Sequence, residues 1–239
     1  MKLNRRTTAG AMRPILVVGA VVCTVFGSQS IANAVAPATP GYVSGYAGAN
    51  AGVVDAVAPA PVVIDDFTTG AYTRTLTDST EPVLAYQGGA GILGGARNTK
   101  LTNGSDPRRT PVTLDVGSAN RLNLTVGADQ EVRFDLSYGY TPAGGQAPLD
   151  FDITRYRAFV LHFHAVDTSK HPSWALLLHS GSSYSQAGGW IDGGSGPFAM
   201  EIPLTSFNHF AGTDDKHVNF ITLIIQSKVD VGIDSIELI

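Results

Sequence analysis

The sequence predicts an all-β protein, an antiparallel β-sandwich or jelly roll over residues 62–239. Three observations carry this expectation. Short runs rich in Val, Ile, Leu, Phe, Tyr and Thr recur from Val62 onward, punctuated by Gly, Pro, Asn and Asp. Two of these runs alternate apolar and polar residues strictly, which is the period of a strand with one face on a core. No long amphipathic helical pattern interrupts them, and 27 Gly and 13 Pro supply many turns. A single all-β domain commonly reaches this size, and neither an internal repeat nor a second domain is visible.

Residues 1–34 read as an export signal, a secretory signal peptide. Lys2, Arg5, Arg6 and Arg13 form a positive start with no acid, Pro14 to Gly27 is apolar, and Ala32-Asn33-Ala34 suits a signal peptidase. The apolar run is shorter than the roughly 20 residues a membrane span needs, which argues against an uncleaved anchor. Arg5-Arg6 raises the twin-arginine route beside the general secretory one, but Thr7 and Thr8 are not the bulky apolar residues that route usually shows. Cys23 is the only cysteine, and Val21-Val22 before it do not suit a lipoprotein signal. After cleavage the chain holds no thiol, so its stability rests on burial and hydrogen bonding rather than disulfides. Cleavage also leaves 12 Lys and Arg against 20 Asp and Glu, a net charge of −8. Such a surface repels phosphate, so nucleic acid and anionic membranes are poor partners. The expected address is extracellular, and the style of the signal suggests a bacterial source.

Residues 35–61 are Ala, Gly, Val and Pro with almost no charge and no sustained period, the composition of a linker. A covering segment packed through Tyr42, Tyr46 and Val53-Val54 is the alternative. Predicted strands then follow in order: Val62–Asp66, Ala71–Leu76, Val83–Gln87, Arg97–Thr102, Val112–Val116, Leu122–Val126 and Glu131–Tyr138. After these come Tyr156–Val166, Trp174–His179, Trp190–Ile191, Phe198–Pro203, Val218–Gln226 and Val231–Leu238. Alternation points Leu122, Leu124 and Val126 inward with Asn123 and Thr125 outward. It does the same for Val132, Phe134 and Leu136 against Arg133, Asp135 and Ser137.

The carboxyl end carries a family resemblance. Phe198-Ala-Met-Glu-Ile-Pro-Leu-Thr-Ser-Phe207, then Val218 to Gln226, then Gly232-Ile-Asp-Ser-Ile-Glu-Leu238 resemble the closing strands of galactose-binding-like jelly rolls. Several carbohydrate-binding modules and the complex-I intermediate-associated proteins share that ending. Val63-Ile-Asp-Asp-Phe67 is similar to their first strand, and Gly94-Gly95-Ala96-Arg97 to their Gly-Gly-x-Arg turn. The resemblance covers about a quarter of the domain and implies a sandwich that often binds glycans. It also implies that the first and last strands lie close, where some members hold structural calcium. Asp65, Asp66 and Asp234 are the residues that would serve, although calcium needs six to eight oxygens.

Three groups of residues are candidates for chemistry. His162 and His164 share one face of their strand, opposite Phe159, Leu161 and Phe163. If the next strand pairs with theirs as a hairpin, His179 joins them, giving a metal site, a polar ligand face or a solvated face. Tyr138, Tyr140, Tyr184 and Trp190 lie in or beside the Gly-rich stretches 139–146 and 180–196, where a sugar ring could stack on them. Trp190 could equally pack into the core, and Trp174 reads as core. Paired acids, Asp192 among them, could hydrolyse a glycosidic bond if they face each other across a cleft. No Gly-x-Ser-x-Gly, phosphate loop or dinucleotide fingerprint occurs, and the Gly pairs at 88–89 and 94–95 read as turns.

The expectation is therefore a secreted, non-catalytic module binding carbohydrate or a related cell-surface polymer. Its candidate binding face is Tyr138, Tyr140, His162, His164, His179, Tyr184 and Trp190. A polysaccharide hydrolase or lyase and a structural or adhesive envelope protein are the alternatives. No organic cofactor is indicated.

Overall fold

The computed structural model describes residues 59–77, 82–104, 111–128, 130–167, 169–209 and 213–239. The proposed signal and all but the last three residues of the proposed linker lie outside the described residues. The strands are β1 (Val62–Asp65), β2 (Tyr72–Leu76), β3 (Val83–Gly88), β4 (Ala96–Asn103), β5 (Val112–Val116), β6 (Leu122–Val126) and β7 (Val132–Tyr138). They continue with β8 (Ala158–Val166), β9 (Ser173–Ser180), β10 (Ser183–Trp190), β11 (Phe198–Pro203), β12 (Asn208–His209), β13 (Phe220–Ser227) and β14 (Val231–Leu238). Two antiparallel seven-stranded sheets result. Sheet I runs β11-β8-β14-β6-β5-β2, with β1 also pairing β14; sheet II runs β12-β10-β9-β13-β7-β4-β3.

The alternation read from the sequence decides which side of each sheet faces the core. Leu122 and Leu124 of sheet I are buried, as are Val132, Phe134 and Leu136 of sheet II. Phe159, Leu161 and Phe163 join Leu176, Leu178, Ile221, Leu223 and Ile225 between the sheets. Each such side chain contributes about 1.5–3 kcal/mol by leaving water. First and last strands pair as the resemblance implies, Val62 opposite Leu238 and Asp65 opposite Ile236. The all-β sandwich is thus what the sequence led one to expect, with one strand, β12, added at the edge.

One segment differs. Residues 180–196 read as a Gly-rich loop, yet Ser183–Trp190 form a full strand paired with β9 from Ser183↔Ser180 to Trp190↔Ser173 without a bulge. Gly181, at φ 59, makes the tight turn. Gly188 does not interrupt the ladder because a neighbour needs its space: a Cβ there would stand 3.0 Å from the Trp174 carbonyl oxygen. The glycine marks a close backbone approach rather than a loop.

The core also holds a buried ion network. Arg97 and Asp65 are both 0% exposed. Arg97 Nη1 donates to both Asp65 oxygens at 2.8 and 2.7 Å, and Nη2 donates to the carbonyls of Thr69 and Gly70. Arg97 Nε donates to Gln87 Oε1 at 3.2 Å. Asp65 also accepts from the Phe67 N–H and the Tyr138 hydroxyl. Burial pushes the Asp65 carboxyl up, and Arg97, the Phe67 amide and Tyr138 oppose that push. The network ties β1, the turn after it, β4 and β7 together across the two sheets.

Gly139 ends β7 in the left-handed region, at φ 106, and a Cβ there would meet the Asn219 carbonyl oxygen at 2.5 Å. Gly139→Ala is therefore expected to lower stability by about 1–3 kcal/mol through strain. Denaturant titration checks it, and a variant as stable as the parent would contradict the strain.

Candidate functional site

The outward face of sheet II can be read row by row from its register. Tyr184 stands opposite His179, and His179 opposite Phe220. The next row on the same face is Gln186, Leu177, Thr222, Ser137, Asn98 and Tyr86. Tyr140 follows Gly139 just beyond the end of β7. Rings from five segments therefore gather at one end of the face. Tyr86 and Tyr140 lie 5.9 Å apart between centroids, Tyr140 and Phe220 5.4 Å, and His179 and Tyr184 5.7 Å. All are half-buried, so each keeps surface for a ligand.

A tight loop holds Tyr140 in place. Thr141 N–H donates to the Gly145 carbonyl at 2.8 Å, Gly144 N–H returns to Thr141, and Ala147 N–H closes on Gly139. Gly144 packs on the Tyr86 ring, where a Cβ would come to 2.9 Å. Planar polar groups stand among the rings. Gln186 lies beside Asn208 of β12, and Thr222 donates to Ser137 at 3.0 Å. Asn98 Oδ1 is buried without a hydrogen-bond partner. Burial lowers the His179 imidazole below the ordinary histidine value, and burial with the neighbouring Tyr86 raises the Tyr140 phenol. The face thus offers aromatic surfaces with uncharged donors and acceptors between them. That combination suits a polyhydroxylated ring, whose apolar faces stack while its hydroxyls need hydrogen-bond partners.

Among the residues singled out in the sequence, Tyr140, His179 and Tyr184 come together here. Tyr138 does not. It is 0% exposed and points inward at Asp65, because it is two residues on from Leu136 and so shares the core side of β7. Burial holds its phenol well above the ordinary value.

His162 and His164 lie elsewhere, on the outer face of sheet I. The expected hairpin does not form: β8 belongs to sheet I and β9 to sheet II. The connection between them crosses the sandwich, so His179 ends on the opposite outer face and no three-histidine cluster exists. His162 Nε2 lies 3.7 Å from Glu237, and His164 Nδ1 lies 3.8 Å from Asp234.

The acids offered for calcium have other partners. Asp65 is consumed by Arg97 inside the core, Asp66 Oδ1 accepts from the Thr68 N–H and hydroxyl, and Asp234 faces Arg121 at 3.5 Å on sheet I. Among the described residues no group of three or more His, Cys, Asp or Glu side chains is placed to hold a metal ion. Asp192, offered for hydrolysis, has a side chain 98% exposed, 3.7 Å from His171.

Trp190 is not core. It is 69% exposed, at the far end of β10 from Tyr184. Trp174, by contrast, packs on the core.

Two rings of the cluster were not singled out in the sequence. Tyr86 alternates with Val83, Ala85 and Gln87 and so shares a face with the exposed Leu84. Phe220 sits in a continuous apolar run, but Thr222 and Gln226 mark its side as the outer one. Parity with those two polar residues was the available signal.

No family model matches the chain, and no curated protein matches it. Solved structures do align with it. A family 11 carbohydrate-binding module from Clostridium thermocellum, in complex with a β-1,3-1,4-mixed-linked tetrasaccharide, is 14% identical. The alignment covers 75% of this chain and 95% of that one, with a TM-score of 0.38. A solution structure of a family 11 module is 14% identical over 77% of this chain and 97% of that one, at a TM-score of 0.40. A family 61 module in complex with β-1,4-galactotriose is 12% identical over 72% and 90%, at 0.29. These neighbours are carbohydrate-binding modules. Among the described residues no helix is long and apolar enough to cross a membrane.

Proposed function

We propose that this protein is an exported, non-catalytic carbohydrate-binding module that takes glycan on the outer face of sheet II. One observation carries the reading: the half-buried rings of Tyr86, Tyr140, Phe220, His179 and Tyr184 gather on that face with Asn98, Gln186 and Thr222 among them. The rings supply stacking surface, and the amides, hydroxyls and imidazole supply partners for sugar hydroxyls. Export is supported by the amino-terminal signal pattern, and a cell-surface or extracellular polymer is the matching partner.

The test is a glycan array probed with the purified protein, followed by calorimetry. The calorimetric series consists of β-1,4-, β-1,3- and mixed-linkage gluco-oligosaccharides and β-1,4-galacto-oligosaccharides of two to six units. Binding to at least one class is expected. Silence across the array would sink the reading. Release of shortened products from a polysaccharide would replace it with the hydrolase or lyase alternative.

The pH dependence has a definite sign. Covering His179 with a sugar desolvates it further, so binding favours the neutral imidazole. Affinity is expected to be flat above pH 6.5 and to fall once the pH drops below the depressed value of His179. His179→Gln should remove that acid limb. An acid limb unchanged in the variant would assign it to another group.

A further inference from the structure

We infer that Trp190 is a second sugar-stacking station on the same face, so that the ligand is one glycan chain running along β9 and β10. This rests on the glycan reading above and specifies the length and path of the ligand.

The register places it. Tyr184, Gln186, Gly188 and Trp190 all point outward from β10, and their partners on β9 are His179, Leu177, Ala175 and Ser173. Trp190 lies six positions on from Tyr184, about 20 Å at the rise of an antiparallel strand. That span exceeds a disaccharide. In the row next to Trp190 the floor is low, since Gly188 has no side chain and Ala175 only a methyl, while Gln186 and Leu177 stand in the row next to Tyr184. Gln186 and Asn208 stand on one side of this path and Thr222 on the other, where they can meet hydroxyls of the intervening units.

The far station is a built site. Trp190 is the most exposed of the large hydrophobic side chains among the described residues, at 69%. It borders a cleft of about 360 Å³ that Glu131, Gln226, His171 and Lys228 also line. Gln226 donates to Glu131 and Lys228 lies 3.1 Å from the same carboxylate, so these groups are held in place beside the indole. Hydrogen bonding from Gln226 holds the Glu131 carboxyl below its ordinary value, which keeps it an acceptor. An exposed indole over a cleft with fixed hydrogen-bonding groups is the arrangement that holds a pyranose ring.

Calorimetry on the oligosaccharide class that binds, at lengths from two to six units, tests this. Affinity should rise with length, with one chain bound per protein. Trp190→Ala, at an exposed position that leaves the fold intact, should weaken the longest member at least about tenfold and leave the disaccharide unchanged. Ala175→Gln, which raises the floor between the stations, should do the same. Trp190→Ala equal to the parent at every length would overturn the inference, as would an equal loss on the disaccharide or two chains bound per protein. If the parent binds no member of any class, the glycan reading itself fails, and the inference falls with it.

Discussion

Arg97→Met should lower the unfolding free energy by about 3–5 kcal/mol at neutral pH, the cost of leaving a buried charge without its partner. Asp65 is fully inaccessible, and without the guanidinium it retains only the Phe67 N–H and the Tyr138 hydroxyl. The carbonyls of Thr69 and Gly70 lose their donor at the same time. Denaturant titration reads the effect as a lower midpoint with an unchanged slope. The double variant Asp65→Leu with Arg97→Met should be less destabilised than the single one, because no unpaired charge remains. The pH dependence supplies a second check. A carboxyl whose folded-state pKa lies above its unfolded value contributes stability fully below the unfolded value, 3.8, and loses it as pH rises through the folded one. Removing Arg97 pushes the folded value higher still. The deficit of Arg97→Met should therefore shrink as pH is lowered, opposite to ordinary acid denaturation. A loss under about 1 kcal/mol, or a deficit that grows toward acid, would contradict the account.

Tyr140→Ala should weaken glycan binding by about 10- to 100-fold, the range of a central aromatic anchor. Tyr140 sits between Tyr86 and Phe220, at 5.9 and 5.4 Å, so its removal breaks the continuous aromatic surface in the middle. Tyr140→Phe keeps the ring and loses only the hydroxyl, so it should retain most of the affinity. Calorimetry against the bound oligosaccharide reads both, with circular dichroism confirming that the sheets persist. Equal affinity for Tyr140→Ala and the parent would remove Tyr140 from the site. An equal loss in both variants would assign the contribution to the hydroxyl rather than to stacking.

Much of the fold was legible because strands advertise themselves locally. The alternations at Leu122–Val126 and Val132–Leu136 predicted their core sides, and the side chains lie there in the sandwich. The same rule, carried two residues further, would have placed Tyr138 inside with Leu136. The aromatic character of Tyr138 drew attention to a surface role that its parity contradicts. The stretch 180–196 was misread because glycine usually signals a turn, while Gly188 is there to admit the Trp174 carbonyl of a neighbouring strand. Such a requirement belongs to the partner strand and leaves no mark near Gly188 in the chain. Asp65 and Arg97 were likewise opaque. A charged pair is recognisably internal only once β1 and β4 are brought face to face.

By itself the amino-acid sequence determined the strand content and the inward and outward sides of most strands. These follow from periodicity and turn chemistry, which are properties of neighbours along the chain; the closeness of the first and last strands was implied only by the resemblance to galactose-binding-like jelly rolls. Only the tertiary structure decided which outward sides share a surface. The chain passes from sheet I to sheet II between β8 and β9, and this one crossing separates His162 and His164 from His179. The same topology sets Tyr86, Tyr140, Phe220, His179 and Tyr184 side by side although they are scattered over a hundred residues and more. Register and sheet order are long-range pairings, settled by burying both apolar faces at once, and no local pattern encodes them.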